Sequence, residues 1–219
     1  MQYKTLEEKV ANYSKTFPNY PKLVVDKGWL YGVWVLGRNY KSKRKYYGEY
    51  PPGYLKRIYP LFDDAKEVLH LFGGVVEKGK WQNEITFDIN PDLKPDVVGD
   101  AHKLSTYFKK DKFDLILADP PYSAEDAKMY NTPMVRRFTI VKECYKILKP
   151  GGYLCWLDQI LPMYKRELFK FVGTIGMVRS VNHRIRLVAI FQKVDKDNDK
   201  PVIHKLVPEL RKLKEFVDW

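Results

Sequence analysis

The chain has 219 residues, of which 45% are hydrophobic, which suits one domain with small additions built on one buried core. No stretch approaches the roughly 20 apolar residues that span a bilayer, the opening residues Met1 to Glu8 lack the apolar run of a signal peptide, and two cysteines, Cys144 and Cys155, are too few for a disulfide framework and wrongly spaced for a zinc knuckle. A cytoplasmic, metal-free protein with both cysteines in the core is therefore the expectation, and the formal net charge of +12 favours polyanionic partners.

In chain order, residues 1–27 read as a short helix and a proline-containing loop, and the aromatic and β-branched run 29–36 reads as a strand. A basic segment follows, with Arg38, Lys41, Lys43, Arg44 and Lys45 interleaved with Tyr40, Tyr46 and Tyr47. Pro51-Pro52-Gly53 punctuates the chain ahead of a predicted helix over 54–62. From residue 67 short apolar strands alternate with helical segments, which argues for a parallel α/β sheet. The predicted strands are 68–72, 85–88, 97–98, 113–118, 153–157, about 174–179 and 187–192; the predicted helices are 104–109, 134–148 and 164–172. A polar connector at 195–199 precedes Leu206, Leu210, Leu213 and Phe216, whose helical spacing predicts a helix docked on the core, or else a dimer contact. The expected division is an N-terminal extension (1–62), a core (63–194) and a connector with a C-terminal helix (195–219).

The charge is uneven along this plan. Lys and Arg minus Asp and Glu gives +2 for residues 1–37, +6 for 38–57, −5 for 58–135, +8 for 136–186 and +1 for 187–219. Two basic segments thus flank an acidic middle.

The strongest chemical signal lies in that middle. A predicted buried strand, 113–118, delivers Asp119 at its carboxyl end, where open α/β sheets bind ligands. Pro120 and Pro121 then stiffen the backbone and remove two N–H donors, leaving the Asp119 carboxylate and the Pro120 carbonyl as acceptors, with the Tyr122 ring next. An exocyclic base amine offers two N–H donors, a flat ring and a delocalised lone pair. Acceptors aimed at both hydrogens would localise that lone pair for attack on an electrophilic methyl group, while Tyr122 stacks on the base.

Asp119-Pro120-Pro121-Tyr122 resembles the catalytic motif of class I S-adenosylmethionine-dependent amino-group methyltransferases, of the adenine-N6 and cytosine-N4 DNA methyltransferase type. The order of segments agrees from residue 67 to about 193. The resemblance implies a Rossmann-like α/β fold with a mostly parallel seven-stranded sheet and an antiparallel last strand, S-adenosylmethionine as cofactor, and Asp119, Pro120 and Tyr122 as catalytic residues. His70, Phe72, Gly73 and Gly74 match the loop that cradles the methionine part of the cofactor, although the family usually has an acid at the position of His70 and often glycine at that of Val76. Asp88 matches the acid that accepts the ribose hydroxyls, and Asp100 with Ala101 the segment that recognises the adenine. Lys149-Pro150-Gly151-Gly152 matches a turn common in the class, a structural feature. A nicotinamide-dependent dehydrogenase is rejected, because the G-x-G-x-x-G spacing is absent and hydride transfer gives no reason for the Pro-Pro-Tyr loop.

Recognition of a nucleic acid would fall to the basic segment (Arg38, Lys41, Lys43, Arg44, Lys45, Tyr46 and Tyr47) and to Arg136 and Arg137 after the catalytic loop. Arg179, Arg184 and Arg186 bracket the last hairpin, as an extension of that surface or simply as solubilising charge. DNA adenine N6 is the first expectation for the target, with base flipping and direct transfer. An amine of ribosomal or transfer RNA (guanine N2 or adenine N6) and a non-catalytic nucleic-acid-binding subunit are the alternatives. Monomer and homodimer both remain open.

Overall fold

A computed structural model of the protein describes residues 3–37, 50–130, 132–179 and 185–195. The predicted C-terminal helix and the basic segment Arg38 to Tyr47 lie outside these residues. The elements in order are α1 (Leu6–Thr16), β1 (Val24–Asp26), β2 (Trp29–Leu36), α2 (Tyr54–Ile58), β3 (Glu67–Leu71), β4 (Asn83–Asp88), β5 (Val97–Val98), α3 (Leu104–Tyr107), β6 (Phe113–Ala118), α4 (Ala124–Met129), α5 (Arg137–Ile147), β7 (Leu148–Asp158), β8 (Phe169–Arg179) and β9 (Ile185–Lys193). Thr5 and Glu8 form a reciprocal capping box at the start of α1. Lys27 and Gly28, both at positive φ, make the two-residue hairpin between β1 and β2. Proline at position 60 turns the end of α2 into a 3-10 segment, Tyr59–Leu61, where one longer helix is expected.

The nine strands among the described residues join one sheet in the order β1-β2-β8-β9-β7-β6-β3-β4-β5. The seven strands from β3 onward reproduce the expected Rossmann-like arrangement, with β3, β4, β5, β6 and β7 mutually parallel and the last strand, β9, antiparallel to both its neighbours. The strand order reverses where β3 meets β6, which opens a crevice at their carboxyl ends.

Two expectations change. The N-terminal residues form part of the same sheet and core: β2 adds to β8 in parallel, pairing Leu30 with Gly173 through to Leu36 with Arg179, and β1 closes the edge. Their side chains supply one whole layer. Tyr13, Leu30, Trp34, Tyr54, Ile58 and Phe62 pack on the sheet face that carries Leu115 and Leu117. Helices α3 and α5 cover the opposite face, with Ile116, Ala118, Leu154 and Trp156. The reason lies in β6, every residue of which is buried; a parallel strand apolar on both faces needs a layer on each side.

The helix expected over 164–172 is also absent. A single turn closes on the Lys165 carbonyl, and Phe169 then starts an eleven-residue strand. Phe169 and Phe171 pack against Phe191 of β9, so long-range pairing and ring burial override the local helical pattern.

Trp34, fully buried and packed between Tyr13 and Tyr54, tests the single core. Trp34→Ala should lower global stability by about 3–5 kcal/mol, read as a shifted midpoint of one cooperative denaturant transition. A transition of the core that ignores this substitution would mean that the N-terminal layer folds apart from it.

Candidate active site

The ends of β3, β4, β5 and β6 surround a cleft of about 350 Å³. Phe72, Asp88, Asp100, Ala101, Asp119, Pro120, Pro121 and Tyr122 all line it, so strand register gathers residues that lie far apart in sequence. Pairing of Leu71 with Ala118 sets Phe72 beside Asp119, whose amide donates to the Leu71 carbonyl at 3.2 Å.

At one end of the cleft Asp88 terminates β4. Its carboxylate receives the Asn90 amide at 2.9 Å, and the Gly74 and Ile89 amides also reach it. Burial nevertheless pushes this carboxyl above its ordinary value, outweighing those amides. Gly74 adopts φ +60, and Phe72, two residues earlier, φ +59, a conformation that is costly for a bulky side chain. The glycine loop therefore meets Asp88 through backbone, while Gly73 and Gly74 do not themselves line the cleft.

Asp100 follows Gly99, where a Cβ would lie 2.5 Å from the Tyr107 ring and 2.9 Å from Phe87, so only glycine allows this approach. Although partial burial opposes ionisation, the amide and ring of His102 hold Asp100 below the ordinary carboxylate value. The Arg136 amide donates to His102 Nε2 at 3.0 Å, which leaves the ring proton on Nδ1, donated to Asp100 at 2.6 Å. His102, to which the sequence gives no role, thus lines the cleft and ties Asp100 to the start of α5. Arg136 itself is exposed.

At the other end stands Asp119. It keeps a little surface toward the cleft but is otherwise enclosed. Burial pushes its carboxyl from 3.8 up to about 7, against the Tyr122 hydroxyl and the Arg186 charge and with the Asp158 charge adding to the rise. The Tyr122 hydroxyl donates to Asp119 Oδ1 at 2.5 Å. Burial and the neighbouring carboxylate hold the Tyr122 hydroxyl well above its ordinary value, so it stays protonated.

Two expected site residues do not line the cleft. His70 is fully buried and does not line the cleft; its Nε2 pairs with Glu84 at 2.9 Å, and its ring lies against Tyr50 and Trp81. Glu84 accepts the amides of Gly79, Lys80 and Trp81, so this pair organises a loop. An acid at position 70 would press a second carboxylate onto Glu84, which histidine avoids. Arg137, expected on phosphate, turns inward: its Nε donates to Asp158 at 2.7 Å and a terminal nitrogen to the Tyr122 carbonyl at 2.9 Å. Asp158, fully buried at the end of β7, also accepts from the Trp156 indole. Arg137 therefore braces the Asp119 loop.

The remaining walls come from Ile89, Asn90, Leu93, Met129, Tyr130, Thr132, Pro133, Val135 and Arg186. Ordinary apolar side chains carry no local signal of a site. Among the described residues no cluster of side chains could hold a metal ion, and no helix is long and apolar enough to cross a membrane.

The raised Asp119 carboxyl has a consequence for stability. Between pH 3.8 and about 7 the native protein holds a proton that the unfolded chain has released, so stability falls as pH rises through that window. Asp119→Asn should exceed the parent in stability at pH 8 by about 1–3 kcal/mol and converge with it near pH 4. Equal stability of the two at both pH values in urea titrations would show that the carboxyl ionises normally in the fold.

No protein-family model matches the sequence, and no curated protein matches it. Solved structures that resemble part of the fold include TrmN from Thermus thermophilus, at 16% identity and a TM-score of 0.43, over 59% of this chain and 44% of that one. The N-methyltransferase NodS from Bradyrhizobium japonicum WM9, in complex with S-adenosyl-L-homocysteine, matches at 14% identity and a TM-score of 0.39, over 59% of this chain and 78% of that one. The 1,6-didemethyltoxoflavin-N1-methyltransferase from Burkholderia thailandensis matches at 14% identity and a TM-score of 0.39, over 60% of this chain and 72% of that one. The chain thus spans less than half the length of TrmN.

Proposed function

We propose that this protein transfers a methyl group from S-adenosylmethionine to an exocyclic amine of a nucleobase, with adenine N6 in DNA as the first target. The observation that carries the proposal is one cleft lined by Asp88 and Asp100 as well as by the Asp119-to-Tyr122 loop. Its volume of about 350 Å³ falls within the range of sites that enclose a small ligand. The residues suit a nucleoside-bearing cofactor: Asp88 for ribose hydroxyls, Asp100 and the Ala101 amide for the adenine edge, and Ile89, Leu93 and Val135 as apolar walls for its ring. Phe72 and the Gly73-Gly74 backbone lie toward the amino-acid end, whereas His70 takes no part. Bound there, the cofactor supplies a methyl group on a sulfonium.

The chain's own groups handle the amine. Asp119 and the Pro120 carbonyl accept its two N–H groups, and the prolines keep the acceptors in place. For this the Tyr122 hydroxyl gives up Asp119, and its ring remains beside the base. With S-adenosylmethionine held there, the nitrogen lone pair would bond to the methyl carbon as the carbon–sulfur bond broke, and the chain's own part would be to receive the one N–H proton that leaves. A carboxyl that titrates near 7 is well matched to take that proton at neutral pH. The net charge, Arg136 at the start of α5 and the basic segment 38–47 support a nucleic-acid substrate.

Radiolabelled S-adenosylmethionine should be incubated with duplex DNA, single-stranded DNA or total RNA, and the methylated nucleoside identified by mass spectrometry. Methyladenine in DNA is expected. Methylation of RNA alone would replace the DNA reading, and no transfer together with no cofactor binding would support a non-catalytic binding subunit. Asp119→Ala should cut transfer by about 10²–10³-fold or more with cofactor affinity largely intact. The rate of the parent should rise with pH along a limb centred near 7; a rate flat from pH 5 to 9 would remove Asp119 from the acceptor role. Asp88→Ala should weaken cofactor binding by about tenfold, the loss of roughly one good hydrogen bond, and unchanged binding by calorimetry would exclude Asp88 from the site.

A further inference from the structure

Arg186 stands second in β9, next to Leu187, which pairs with Asp158 at the end of β7. That position brings it to the cleft, where its guanidinium lies 4.8 Å from the centroid of the Tyr122 ring. Its Nε is buried and has no hydrogen-bond partner among the described residues. The Tyr122 beneath it is the residue whose hydroxyl is bonded to Asp119. A loose solubilising arginine would not give up water for one ring face. Resting on the proposed methyl transfer, we propose that Arg186 is a positioning residue of the acceptor site, seated on Tyr122 to keep Asp119 ionised as an acceptor for the amine.

The charges around Asp119 support this assignment. Arg186 faces it from β9, Asp158 from the end of β7, Tyr122 from its own loop and Tyr50 from the segment before α2. Arg137 of α5 is committed to Asp158. Among the described residues Arg186 is therefore the cation left to act on Asp119. Its charge opposes both burial and Asp158, either of which favours the protonated carboxyl, and a protonated carboxyl has lost part of its capacity to accept an N–H. The planar guanidinium also spreads its charge over the ring face, a geometry a lysine does not reproduce.

Two variants separate charge from shape. Arg186→Gln keeps a planar polar end and removes the charge; Arg186→Lys keeps the charge and removes the plane. Carbon-13 carboxyl NMR of the full chain should place the Asp119 titration about one pH unit higher in Arg186→Gln than in the parent, and within a few tenths of the parent in Arg186→Lys. Methyl transfer by Arg186→Gln should fall about tenfold on the acid side of neutrality and recover toward the parent at pH 9, as one unit requires. An unmoved Asp119 titration in folded Arg186→Gln, checked by circular dichroism, overturns the proposal. A loss of transfer that is equal at all pH values also overturns it and makes Arg186 a direct substrate contact. The NMR titration needs no substrate, so it decides the coupling even if the parent methylates no polymer, an outcome that would sink the functional reading alone.

Discussion

Water is excluded from both faces of β6, and a carboxylate follows that strand immediately. Phe113 to Ala118 are all buried, and Asp119 is the next residue. Burial of an isolated carboxylate is costly, so the chain surrounds this one with a hydroxyl from Tyr122 and a cation from Arg186. The same strand demands two covering layers. Helices α3 and α5 provide one, and the N-terminal helix, hairpin and residues 50–62 provide the other. The perturbed acid and the unusual N-terminal layer are thus two consequences of one buried strand.

The loop that carries Asp119 is held from below by a second buried charge. Asp158 and Arg137 pair at 2.7 Å, and Arg137 extends the brace to the Tyr122 carbonyl. A buried pair of this kind costs desolvation energy when formed and several kcal/mol when one partner is removed. It gives the loop a defined position. With two prolines ahead of it, Tyr122 has little backbone freedom left.

The Asp88 and Asp100 end of the cleft is built on different physics. There the backbone does most of the work: Phe72 in a left-handed conformation, the Gly74 amide on Asp88, and Gly99 admitting the Tyr107 ring. His70 departs from the acid expected at that place because its side chain points into the core, where Glu84 already supplies the carboxylate. Burial opposes ionisation of Glu84, but His70 and three amides hold its carboxyl down to about 2. The departure at position 70 therefore reflects the packing beneath the loop.

The sequence by itself determined the features that are local in physical terms. The apolar residues Leu115 to Ala118 ahead of Asp119-Pro120-Pro121-Tyr122 announce a buried strand and the acid at its end, and the bounds of β2, β5 and β6 follow from short-range patterns of the same kind. Asp88, the last residue of β4, and Asp100, two residues past β5, were expected from the resemblance in segment order. Tertiary structure decided what depends on pairs of distant residues. Phe169 and Phe171 joined a strand because β9 offered pairing and rings to bury, and Arg137 turned inward because Asp158 lay 21 residues away at the end of β7. Arg186 and His102 entered the cleft through strand register and a bond across 34 residues. Apolar periodicity records how a segment meets its nearest neighbours along the chain. Which charge meets which is settled only when burial removes water and leaves each group with the partner that the fold has brought beside it.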